Sequence, residues 1–160
     1  MGFASYTDEY TSPIAASRIF KASIIDSHNL IPKLLPQGIQ SIELIQGDGG
    51  AGSIKKINFI DGRNFNSVKY HIDELSEENY TYNYTLLEGD ALVENLEKIT
   101  YEVKFESSPS GGTISKVTSK YYTKGDFMLK EEDIKAGKDK VLQMYKVVEA
   151  YLLQNPDAYV

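Results

Sequence analysis

The stretch "NYTYNYTLL", residues 79–87, alternates large and small polar side chains with a period of two. Successive side chains of a strand point to opposite faces, so Tyr80, Tyr82, Tyr84 and Leu86 share one side. Thr81, Asn83 and Thr85 share the other, which suits water and turns the tyrosines inward. The alternation continues in "EKITYEVKFE", 97–106, where Ile99, Tyr101, Val103 and Phe105 face in and Lys98, Thr100, Glu102 and Lys104 face out. Working outward, "TISKVTSKYYT", "FNSVKYHI", "SIKKINFI", "QSIELI" and residues 3–11 also read as strands. Asp61-Gly62, Glu77-Glu78, Glu88-Gly89-Asp90 and residues 108–112 supply the turns of an antiparallel meander.

Two regions break the period. Ser12-Pro13 is a helix-start signal, and residues 14–25 carry Ile14, Ala15, Arg18, Ile19, Ala22 and Ile25 as an amphipathic stripe. A second short helix is expected at 27–34, interrupted by Pro32. At the other end, Glu131-Glu132-Asp133 favour a helix N-terminus and Asn155-Pro156 ends the helix that follows. That helix is about 36 Å long, enough to cross a small domain. Val141, Met144, Tyr145, Val148 and Leu152 form its apolar arc. The fold class is α+β: a curved antiparallel sheet gripping a long C-terminal helix, with two short helices near the start.

The 160 residues are expected to form one domain, 1–160, with a core that needs no staples. Cysteine is absent, which excludes disulfides and thiolate metal sites and suits a reducing, cytoplasmic setting. The net charge of −6 argues against a broad nucleic-acid-binding face. No secretory signal or membrane-length apolar run is visible. The two histidines, His28 and His71, have no metal-ligand spacing, and no metal or cofactor is expected.

The glycine-dense segment "QGDGGAGSIKK", 46–56, invites a phosphate reading that the residues reject. Gly47 and Gly52 have the spacing of a phosphate-binding loop, but Ser53 stands where the lysine is needed. Gly47, Gly49 and Gly52 satisfy the dinucleotide pattern literally, yet a strand follows instead of the required helix N-terminus. Gly47, Gly49, Gly50 and Gly52 therefore read as a hairpin between two strands.

The inward set is polar for a dry core. An unpaired buried hydroxyl costs about 1–3 kcal/mol, and Lys55 shares the face of Ile57 and Phe59. Either these groups pair among themselves or reach water at the sheet ends, or the interior is hollow, with apolar walls and a few placed polar groups. Lys55 has two readings of its own: an internal salt bridge, or an amine whose charged form is disfavoured, able to act as a base or to react with carbonyls. Glu97, Glu149 and Tyr151 would join it in acid–base chemistry if they converged.

Taken together, "GDGGAGSIKKINF", "NYTYNYTLLEGDAL", "LEKITYEVKF", "PSGGTISK", "YYTKGD" and "VVEAYLLQNPDAY" resemble the plant pathogenesis-related class 10 proteins, the family of the major birch pollen allergen. The resemblance runs from "TSPIAASRIFKA" to the last residues. It implies a seven-stranded sheet wrapped around the long helix, two short helices set in a V, and a large internal cavity (a helix-grip). It further implies a mostly monomeric cytosolic defence protein, often allergenic, that binds flavonoids, cytokinins and other small amphipathic plant metabolites. Carried over by position, the walls include Phe59, Phe65, Tyr82, Tyr84, Tyr101, Gly137, Val141 and Met144, with Asn29 and Tyr70 as polar neighbours. Weak RNA cleavage, reported for some members, maps onto Lys55, Glu149 and Tyr151. A related branch holds Pictet–Spengler condensing enzymes. The sequence departs from the family at Tyr122, where His is common, and around position 70; both departures bear on ligand choice.

Overall fold

The computed structural model describes residues 2–60, 67–89, 96–125 and 130–160. The elements follow in chain order as β1 (Gly2–Ser12), α1 (Ala16–Phe20), a π turn (Lys21–Ile25), α2 (Ser27–Leu34), β2 (Ile39–Gln46) and β3 (Ile54–Phe59). Then come β4 (Ser67–Ser76), β5 (Thr81–Gly89), β6 (Leu96–Ser107), β7 (Thr113–Thr123) and α3 (Glu131–Gln154). The strands form one antiparallel sheet of seven in the order β1-β7-β6-β5-β4-β3-β2. Alternation is strictest in β7, where every second residue from Thr113 to Thr123 is buried.

Three expectations need correction. The stripe at 14–25 is not one helix: α1 lasts five residues and the chain then widens into the π turn. Nor does Ser12 cap a helix at Pro13. Ser12 still pairs with Thr113 as the last residue of β1, and the buried Thr113 hydroxyl donates to the Ile14 carbonyl at 2.6 Å. The chain bends at Pro13 and Ile14, and helix begins only after Ala15. Tyr80, expected within β5, sits in the preceding turn with φ of 53°. The turn aims its ring at Phe20, centroid to centroid 5.6 Å.

The C-terminal half of α3 packs against α1, the π turn and α2. Val148 and Leu152 are completely buried there, among Ile19, Phe20, Ile31 and Phe105. Aromatic edges close this end: Phe105 lies 5.7 Å from both Phe20 and Tyr145, and Tyr145 lies 5.9 Å from Tyr10. Arg18 finishes the helix. Its guanidinium donates to the carbonyls of Leu152, in the last turn, and of Asn155 and Ala158 beyond it, at 3.2, 2.9 and 3.0 Å. Tyr159 donates a short hydrogen bond to the Asp26 carboxylate, tying the chain's end to the start of α2. Among the described residues no helix is long and apolar enough to cross a membrane.

Candidate functional site

Strand register turns the inward alternation into continuous rows. One row runs Lys55, Tyr70, Leu86, Ile99, Tyr121 and Ala4 across six strands. The next runs Ile72, Tyr84, Tyr101, Ser119 and Tyr6. A third runs Leu75, Tyr82, Val103, Val117 and Asp8. Residues from six strands thus meet on one face, although no two strands contribute adjacent sequence.

The tyrosines form a connected patch. Tyr84 sits at its centre, 5.2 Å from Tyr70, 5.0 Å from Tyr82 and stacked on Tyr101 at 4.9 Å. Burial pushes the Tyr70 phenol up to about 12, although a hydrogen bond with Tyr82 works against the rise. Burial also holds Tyr82, Tyr84, Tyr101 and Tyr145 well above their ordinary value. Tyr84, Tyr101 and Tyr145 nevertheless keep accessible surface; they are half-buried, not sealed. Tyr10 and Tyr121 are raised mainly by burial, with Asp8 adding to both.

Lys55 lies at the β3 end of the first row, directly opposite Tyr70 and only 5% exposed. No carboxylate among the described residues pairs with it, so the salt-bridge reading finds no partner here. Desolvation lowers its affinity for a proton. On the opposite face two lysines are matched, Lys120 with Glu102 at 2.8 Å and Lys116 with Glu106 at 3.4 Å.

Other expected positions fall as follows. Met144, half-buried on α3, packs against the core. Asn29 is exposed on α2, its amide donating to Asp26 at 2.8 Å. Phe65 lies outside the described residues, and so do the surroundings of Phe59, Gly137 and Val141. Glu149 and Tyr151 are half-buried, and no hydrogen bond or ion pair joins either side chain to Lys55. Sequence reasoning missed Tyr6, Tyr10, Tyr121 and Asp8 on the inward face; the strict alternation of β1 and β7 carried the signal.

The glycine loop keeps its amides for itself. Gly49 N–H donates to the Ser53 hydroxyl at 2.8 Å, Gly50 N–H to the Asp48 carboxylate at 2.9 Å, and Gly52 N–H to the Ile72 carbonyl at 2.8 Å. Gly47, Gly49 and Gly52 adopt φ of 89°, 101° and 90°, the left-handed region where a side chain is strained. At Gly47 a Cβ would also stand 2.9 Å from the Ser53 backbone. Ser53 is fully buried and pins the loop against β4. The amides a phosphate would use are already engaged.

The seven-stranded sheet order and the long C-terminal helix define a helix-grip protein. The chain belongs to the Pathogenesis-related protein Bet v 1 family, whose model matches residues 1–155. It is 52% identical to major allergen Pru av 1 of Prunus avium, across 99% of both chains. It is 53% identical to major strawberry allergen Fra a 1-2 of Fragaria ananassa, with the same coverage. The crystal structure of Ara h 8.0201 superposes with a TM-score of 0.87 at 38% identity, covering 96% of this chain and all of that one. Truncated norcoclaurine synthase from Thalictrum flavum shares the fold, with a TM-score of 0.76 at 18% identity over 96% of each chain.

Proposed function

We propose that the protein binds small amphipathic plant metabolites between the inward face of the sheet and α3, as a carrier or reservoir. The observation that carries this reading is the state of Tyr84 and Tyr101: their hydroxyls are desolvated, yet both rings keep accessible surface. Surface retained at desolvated phenols supports a hollow whose walls combine aromatic rings with a few hydroxyls and one amine. That mixture suits flavonoids, cytokinins and related phenolics, whose flat rings stack on tyrosine and whose oxygens need donors. Tyr70, Tyr82, Tyr84 and Tyr101 would supply rings and hydroxyls, Met144 an adaptable apolar wall, and Lys55 a donor at one edge. Phe59, Phe65, Gly137 and Val141 complete the proposed lining.

The setting we propose is the plant cytoplasm, where a chain without cysteine needs no oxidising environment. Close likeness to fruit allergens also supports cross-reactivity with antibodies raised against them, testable by inhibition of serum binding to Pru av 1. Ligand binding is tested by titrating the protein with a flavonoid panel against a fluorescent apolar probe. Saturable, displaceable binding is expected; its absence would overturn the carrier reading.

A further inference from the structure

We infer that Lys55 is a carbonyl-capturing residue: its amine condenses reversibly with an aromatic or conjugated aldehyde held on the inward face. The inference rests on the ligand-binding reading above and adds a covalent step to it.

Three observations converge on this residue. Lys55 is buried on β3, and among the described residues it has neither an ion pair nor a hydrogen bond from its amine. On the outward face, by contrast, Lys116 and Lys120 are paired with glutamates. The residue directly across the ladder is Tyr70, whose hydroxyl is hydrogen-bonded with Tyr82 and whose ring adjoins Tyr84. Cross-strand partners of this kind stand roughly 5 Å apart at Cβ. A ring stacked on the tyrosine patch therefore presents its substituent towards the amine.

The chemistry is a condensation without redox change. The neutral amine of Lys55 adds its lone pair to the aldehyde carbon, and the carbonyl electrons move to oxygen. A proton passes from nitrogen to that oxygen, giving a carbinolamine. Loss of water then leaves a carbon–nitrogen double bond, with a phenol donating a hydrogen bond to the departing oxygen. Water reverses every step. Desolvation favours the neutral amine over the ammonium form. A salt-bridged lysine would stay protonated and unreactive.

Benzaldehyde with cyanoborohydride is the probe, because reduction fixes the imine as a benzyl-lysine that peptide mapping locates. Lys55 should be labelled ahead of every exposed lysine at neutral pH, with saturation in aldehyde and competition by a displacing flavonoid. Lys55→Met should lose that label alone while the exposed lysines label as before. An unmodified Lys55 alongside labelled surface lysines overturns the inference. Fluorescent-probe binding, measured on the same samples, then separates two failures. If the probe binds and benzaldehyde displaces it, only the covalent step is wrong; if no probe binds at all, the carrier reading falls as well.

Discussion

The two ends of the interior are built by the same sheet and the same helix, yet they solve opposite problems. Around the C-terminal half of α3, Val148, Leu152, Phe20 and Phe105 lie at or below 1% exposure, and the space is filled by interlocking rings and aliphatic side chains. Along the middle rows, tyrosines and Lys55 replace those residues; Tyr70, Tyr82 and Lys55 are buried, while Tyr84 and Tyr101 stay half-buried. Filled space holds the fold together; the polar-lined rows are where we propose that a ligand sits. Arg18 and the Tyr159–Asp26 bond reinforce the filled end, which leaves the open end free of structural duty.

The largest expected effect falls on the filled end. Phe105→Ala removes a ring touching Phe20 and Tyr145 and should cost about 3–5 kcal/mol. Denaturant unfolding measures it, and a cost under about 1 kcal/mol would show that this end is loosely packed. Arg18→Met keeps the apolar stem and removes the three hydrogen bonds to the carbonyls of Leu152, Asn155 and Ala158. A loss of about 2 kcal/mol is expected, read as a lower thermal midpoint.

Lys55→Met has the opposite sign, because it replaces an unpaired buried amine with an apolar chain of similar length. A gain of about 1–3 kcal/mol is expected at neutral pH. The pH dependence follows from the direction of the shift. The folded-state proton affinity of Lys55 lies below its ordinary value of 10.5, so the unfolded chain holds the extra proton in the window between. The penalty is full below the folded value and fades as pH rises towards the ordinary one, so the gain from Lys55→Met should shrink on the same path. The inward tyrosines run the other way: their raised values contribute stability below the ordinary 10.0 that is lost as pH climbs through the folded values. A gain that grew with pH would contradict the assignment for Lys55.

The smallest effect is predicted for Tyr84→Phe, which removes a hydroxyl from the open region. Stability should change by less than about 1 kcal/mol, while affinity for a hydroxylated flavonoid falls several-fold in a calorimetric titration. A large loss of stability without a change in affinity would mean that the tyrosine patch is core.

Much of this contrast was legible in the sequence. Period-two alternation in "TISKVTSKYYT" matched β7 end to end, and acids at one end with Asn155-Pro156 at the other bounded α3. The inward direction of Tyr82, Tyr84 and Tyr101 followed from the threonines between them. What escaped depends on distance along the chain. Tyr6, Tyr121 and Asp8 join the face only through the pairing of β1 with β7, which no local pattern reports. The π turn escaped because its residues satisfy a helical stripe; the tie from Thr113 to Ile14, contacts a hundred positions apart in the chain, decides where helix begins. The fate of Lys55 turned on whether a carboxylate came near it, and a sequence does not say which acids converge.

The measurement that bears most directly on the central claim is nuclear Overhauser contact between a bound flavonoid and the protein. Contacts to the rings of Tyr84, Tyr101 and Tyr70 and to the Lys55 side chain, with none to Val148 or Leu152, are predicted. Contacts confined to the outward face, to Lys116, Lys120 and Tyr122, would contradict it.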